Sequence, residues 1–272
     1  MLHSLRISDG KATYCSRYVK TYKYLLEQDS CFAIVPNIAS GFFGFGDIVR
    51  KSHDRGGQPR GIESNKVPKI GILPKYAMND SELKWFRIPG FNTIHVINAW
   101  ESEEDDDENI LSVDNIFNLK IYASLEKVKI NIKTGEVSRE KISPRNLEFG
   151  TINPSYVGRQ TRYAYLGLLE ESPKMSAVVK IALETGREVA RRFYGPNCYG
   201  GEPLFVRRDG ESNINNDEDE DDGYVMNFVH DEKANESKFI ILDAKSPELE
   251  ITVVVKIQRR VPYGIHGLFL SK

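Results

Sequence analysis

The sequence predicts an all-β fold. Turn dipeptides suited to hairpins recur along the chain, the segments flanking them alternate apolar and polar residues, and a helical pattern is confined to one short stretch. Hairpins at roughly regular spacing fit a propeller or a sandwich. Periodicity favours neither, and no sharp internal repeat is visible.

Taken in order, "LRISDGKATYCSRYV" alternates around Asp9-Gly10, a pair able to adopt the positive φ angles of a tight turn. From Gly41 to Gly71, "GFFGFGDIVRKSHDRGGQPRGIESNKVPKIG" is rich in Gly, Arg and Lys and poor in strand signal, an uncommon length of structureless chain for a compact domain. "GFNTIHVINAW" (90 to 100) is an apolar strand with His95 inside it. Lys120 to Lys127 reads as a short helix. "EKVKINIKTGEVSREKI" then turns at Lys133-Thr134-Gly135 with Val128, Ile130 and Ile132 on one face. "AVVKIALETGREVARRFY" turns at Thr185-Gly186, and "KFIILDAKSPELEITVVVKI" turns near Ser246-Pro247. "TRYAYLGLLE" and "DGYVMNFVHDE" read as buried strands. Two acidic runs, "ESEEDDDEN" (101 to 109) and "NNDEDEDDG" (215 to 223), lack the spacing of calcium loops and are expected to be solvated connections.

Composition narrows the functional classes. The 272 residues are 40% hydrophobic and 28% charged, which is globular and suits one large all-β domain or two smaller ones. A formal charge of -2 gives no basic field to recruit nucleic acid. No stretch approaches the roughly 20 apolar residues of a membrane span, and the N-terminus lacks the apolar core of a signal peptide. Cys15, Cys31 and Cys198 are scattered without a CxxC pair, which fits a reducing compartment better than a disulfide scaffold or a zinc knuckle.

Five histidines are available: His3, His53, His95, His230 and His266. Burying an imidazole without a partner costs free energy, so the apolar neighbours of His95 and His266 require one. For any one of them a backbone carbonyl would serve. There is no HExxH pair, GxSxG elbow or phosphate-binding glycine loop. Unaided by context, Glu148 reads as a solvated strand end and Glu202 as a salt-bridge partner of Arg207 or Arg208.

The combination of segments is more specific. "WFRIPGFNTIHVINAWE", "LEFGTINPSYVGRQTRYAYLG", "RRFYGPNCYGGEPLFVRRD", "DDGYVMNFVHDE", "FIILDAKSPELE" and "RRVPYGIHGLFLSK" resemble the carotenoid cleavage dioxygenase family, in the order and spacing of its C-terminal half. "LHSLRISDGKATYCSRYVKTYKY" and "KIGILPKYAMNDSELKWF" extend the likeness, whose wording is nearest the plant plastid subgroup cleaving 9,10 and 9′,10′ double bonds. The resemblance implies a seven-bladed β-propeller holding one Fe(II) on its axis through four histidines. It assigns His95 and His266 as the third and fourth ligands, with Glu148 and Glu202 as the carboxylates behind them. His3 and His230 fall at positions that are not ligands. The substrates implied are a carotenoid or apocarotenoid and O2, in the plastid (stroma or plastoglobule), with peripheral attachment to membranes or lipid particles.

The first two ligand positions of the family fall where this chain carries the Gly/Arg-rich stretch, and no strand pattern surrounds His53. The expectation is therefore a partial propeller domain over residues 1–272 with blades missing and an irregular junction at 41–71, truncated at its N-terminus and without the family's transit peptide. Two functions follow as alternatives: an iron-dependent carotenoid dioxygenase, or an inactive propeller fragment that at most binds hydrophobic ligands or proteins.

Overall fold

The computed structural model describes residues 2–17, 19–21, 24–25, 28–29, 67–91, 93–102, 108–117, 122–171, 174–208, 220–261 and 263–271, with the side chains at 94, 102, 108–117, 122 and 171 outside that description. His53 and residues 41–66 of the expected junction lie outside the described residues; the end of that stretch, Lys69–Ile72, is a strand. The chain divides into two units, Met1–Lys66 and Val67–Lys272.

In the first unit, β1 (Leu2–Ser8) pairs antiparallel with β2 (Lys11–Arg17). The turn is the expected one: Asp9 and Gly10 take φ of 52° and 71°, the left-handed pair that matches the twist of a two-residue hairpin. His3 Nδ1 hydrogen-bonds the Tyr14 hydroxyl, and the two rings stack.

The second unit is a series of antiparallel meanders. β3 (Lys69–Ile72) pairs with β4 (Lys84–Arg87). β5 (Thr93–Ser102), β6 (Glu108–Phe117), β7 (Tyr122–Asn131) and β8 (Val137–Ser143) form a four-stranded sheet in sequence order. β9 (Leu147–Thr151), β10 (Tyr163–Glu171), β11 (Lys174–Ala182) and β12 (Arg187–Phe193) repeat that arrangement. So do β14 (Leu204–Arg207), β15 (Gly223–Asp231), β16 (Glu236–Asp243) and β17 (Ile251–Ile257). The short β13 (Cys198–Gly200) bridges β11 to β15 and merges the last two meanders into one nine-stranded sheet.

Apolar side chains pack these layers in chain order. Phe86 and Ile88 meet Val128 and Ile130; Leu125 and Ile97 meet Leu147, Leu166 and Val179; Tyr165 and Val178 meet Phe205, Val225 and Ile240. Adjacent residues of β10 and β11 thus face different cores, which is why both strands read as continuous apolar runs instead of alternating. Successive four-stranded meanders stacked face to face are the construction of a β-propeller.

Two expectations fail here. Residues 122–127 of the expected helix belong to β7, flanked by β6 and β8, with Ala123, Ser124, Leu125 and Glu126 all buried. Pairing on both edges overrides a weak local preference. The second acidic run is not wholly a solvated loop. Glu220 is buried and accepts hydrogen bonds from the Thr161 hydroxyl (2.6 Å) and the backbone N–H groups of Arg162 and Tyr163 (2.9 Å each). Asp221 takes the buried Lys180 ammonium at 2.6 Å. These carboxylates pin the loop to β10 and β11, because the N–H groups at the start of β10 donate to Glu220 and a buried N–H needs an acceptor.

Candidate metal centre

His95 enters on β5 through a disturbed stretch of strand. The pairing with β6 slips between Thr93 and Val96 and again between Val96 and Asn98. Such bulges re-aim side chains. The Thr93 hydroxyl donates to the His95 carbonyl at 3.1 Å, and the ring turns toward β9. There Glu148 Oε2 lies 2.8 Å from His95 Nδ1. β9 is bulged as well: its register with β10 slips between Thr151 and Glu148, and Phe149 takes a left-handed φ of 54°. The Phe149 N–H donates to Glu148 Oε2 at 2.9 Å, and its ring covers His95 with centroids 5.0 Å apart.

His266 arrives by another route, on the irregular segment after β17. Ser237 Oγ accepts the Val261 N–H at 2.9 Å, the Tyr263 hydroxyl donates to Glu232 at 2.5 Å, and the Glu202 N–H donates to the Gly264 carbonyl at 2.8 Å. The His266 N–H donates to Glu202 Oε2, and His266 Nδ1 lies 3.2 Å from the same oxygen. Glu202 is itself held in place. On β15, Asn227 accepts the Gly201 N–H at 3.1 Å and donates to the Gly201 carbonyl at 3.0 Å and the Tyr194 hydroxyl at 2.8 Å. Gly201 must be glycine, since a Cβ there would fall 2.6 Å from Gly264 N.

The two rings meet edge to face with centroids 5.5 Å apart. An ionised carboxylate only accepts, so His95 Nδ1 carries the hydrogen and leaves Nε2 as a lone-pair donor, whereas Glu202 accepts the backbone N–H of His266 and lies beside its Nδ1. The hydrogen bond to Glu148 raises the His95 pKa above the ordinary imidazole value; partial burial opposes this, and the charges of Glu148 and Glu202 add to it. The four residues singled out from sequence therefore converge. Neither bland reading of the glutamates holds: Glu148 is buried, and Arg207 and Arg208 reach Ser155 and Asp222 instead. His3, in the first unit, bonds Tyr14, while His230 is buried with Nδ1 3.0 Å from Ser237 Oγ. Sequence reasoning passed over Asn227, Ser237 and Gly201; only the Gly200-Gly201 pair gave a local hint of close backbone approach.

Two imidazoles fit a metal such as Fe(II), which accepts neutral nitrogen ligands. Among the described residues, no group of three or more His, Cys, Asp or Glu side chains is placed to hold a metal ion.

A family profile described as retinal pigment epithelial membrane protein matches residues 47–271. The chain belongs to this family, that of the carotenoid cleavage dioxygenases. Its relatives include a probable carotenoid cleavage dioxygenase 4, chloroplastic, of Arabidopsis thaliana, 49% identical over 80% of this chain and 38% of that protein. A zeaxanthin 7,8(7′,8′)-cleavage dioxygenase, chromoplastic, of Crocus sativus is 46% identical over 89% of this chain and 66% of its own length. Among solved structures, the cobalt-substituted apocarotenoid oxygenase of Synechocystis superposes with a TM-score of 0.66 at 25% identity, over 76% of this chain and 45% of that one. The described meanders are thus those of the β-propeller expected from sequence, incomplete against that structure. Matched against the Arabidopsis relative, this chain spans well under half of that protein's length.

Proposed function

We propose that this chain carries half of a carotenoid-cleaving iron site, and that His95 and His266 bind Fe(II) through Nε2. The observation that carries this reading is the double pairing: two imidazoles far apart in sequence, side by side, each with Nδ1 against a carboxylate. A carboxylate behind an imidazole fixes its tautomer and strengthens it as a ligand. The reaction proposed is R(R″)C=CH–R′ + O2 → R(R″)C=O + R′–CHO on a carotenoid or apocarotenoid, with R″ a hydrogen or a methyl group according to the bond cleaved. Iron(II), when bound, supplies the activation of dioxygen. The residues of the chain orient the donors, and Phe149 provides an apolar wall suited to a polyene, which has no hydrogen-bonding groups. The chloroplastic and chromoplastic relatives support a plastid location, and the lipophilic substrate supports work at plastoglobules or membrane surfaces.

A second reading rests on the exposure of the site. His266 is 68% exposed against 23% for His95, so one donor stands open to water. Two donors hold a metal far less firmly than a closed set. In that reading the chain is an inactive propeller fragment that binds hydrophobic ligands or proteins.

The two separate in one experiment. The chain is loaded with Fe(II) under argon, bound iron is measured, and aldehyde or ketone release from β-carotene or an apocarotenal is followed by chromatography. Stoichiometric iron with turnover supports the enzyme, and product chain length distinguishes cleavage at 9,10 from cleavage at 7,8. A folded chain without iron leaves the fragment. His95→Ala and His266→Ala are each expected to abolish metal binding while His230→Ala leaves it intact; equal loss in all three counts against the ligand assignment.

A further inference from the structure

β5 and β9 lie in different sheets, so no backbone ladder sets the distance between them. Two side-chain rungs span the gap. One is the hydrogen bond from His95 to Glu148 at 2.8 Å. The other lies two residues further along each strand, where Ile97 packs onto the bare Cα of Gly150. A Cβ built on Gly150 would fall 2.3 Å from Ile97 Cδ1 and 2.6 Å from Ile97 Cγ1, well inside van der Waals contact. Gly150 is not among the glycines with positive φ, so backbone conformation does not account for it; space does. Both rungs also fall on bulged stretches, at Ile97 on β5 and between Glu148 and Thr151 on β9. A bulge removes the ladder bonds that would otherwise fix where neighbouring side chains point.

We infer that Gly150 is a positioning residue for the His95–Glu148 pair: its missing side chain leaves the space that Ile97 occupies and so permits the close β5–β9 approach at which Glu148 reaches His95 Nδ1. The consequence for metal rests on the function proposed above; the consequence for the imidazole does not. An added methyl pushes against Ile97, which is partly buried against the core of Leu125, Leu147, Leu166 and Val179, and it also comes within 3.3 Å of Leu166 Cδ2. The strands then separate at the neighbouring rung, and the ring loses the acceptor that fixes its tautomer.

The test uses the whole chain as wild type, Gly150→Ala, Ile97→Ala and the double variant. In metal-free protein, 15N NMR of the His95 ring, identified by its loss in His95→Gln, reports which nitrogen carries the hydrogen. Wild type and Ile97→Ala are expected to show a fixed Nδ1–H form. Gly150→Ala is expected to show averaging of the two tautomers and a cobalt(II) affinity lower by about 10- to 100-fold, the usual cost of losing a partner behind a ligand. The double variant, with the clash removed, should regain the Nδ1–H form and the affinity of Ile97→Ala. A Gly150→Ala chain with the wild-type ring signature overturns the inference, and so does a double variant no better than Gly150→Ala. Should Gly150→Ala not fold, the double variant decides: folded with the Nδ1–H form it supports the inference, and unfolded it overturns it. A wild type that shows this tautomer series yet binds no cobalt upholds the positioning role and refutes the metal reading.

Discussion

His95 stands on a ten-residue edge strand of the four-stranded sheet, 23% exposed, with a carboxylate that is 6% exposed; His266 stands on a segment outside any ladder, 68% exposed, with a carboxylate at 22%. The chemistry of the pairs is the same and the means of placing it differ. His95 and Glu148 are positioned by apolar packing between β5 and β9. His266 and Glu202 are positioned by a short series of hydrogen bonds and one glycine-to-glycine approach. Packing excludes water, so a hydrogen bond inside it has no substitute, whereas water can replace a partner lost at an exposed segment. The first pair is therefore rigid and costly to break, and the second is adaptable.

Removing each carboxylate tests this directly. Glu148→Ala should lower cobalt(II) affinity by about 100-fold, the upper end of what loss of such a partner costs. Isothermal titration measures it, and an equal or smaller loss than for Glu202→Ala would undo the contrast. A carboxylate buried with no imidazole is the control. Glu220→Ala strands the N–H groups of Arg162 and Tyr163 and the Thr161 hydroxyl, and should cost about 2–3 kcal/mol of stability by urea unfolding. Its effect on metal affinity per folded molecule should be nil. Glu202→Ala should lower metal affinity by only about 10-fold, with the His95 ring signature unchanged. The smallest effect on metal is expected at His230→Ala: stoichiometry unchanged, while the cavity left by the buried ring and the lost hydrogen bond to Ser237 cost about 2–4 kcal/mol of stability. If that variant instead released metal, the Ser237 anchor of the C-terminal segment would matter more to the second pair than its exposure suggests.

Much of this is legible in the amino-acid sequence. Val128 and Ile130 are buried on one face of β7 with Ile132 packed beside them, as alternation requires, and the turns fall at Asp9-Gly10, Thr134-Gly135 and Thr185-Gly186. His95 announced itself as an imidazole in an apolar run. Glu220 did not: inside a run of like charges, one buried carboxylate looks the same as its solvated neighbours. Gly150 gave no signal either, because nothing near it in sequence says that Ile97 will press against it. Lys120 to Lys127 misled, since its weak helical pattern was outweighed by strands pairing on both sides.

Turns and strand faces are decided locally, by which residues tolerate positive φ and by a side-chain period of two, so the amino-acid order fixes them without reference to the rest of the chain. Which imidazole meets which carboxylate is decided over 53 residues for His95 and 64 for His266. Those meetings depend on where packed sheets and a returning C-terminal segment bring the backbone to within a few ångströms, and that distance is a property of the assembled core.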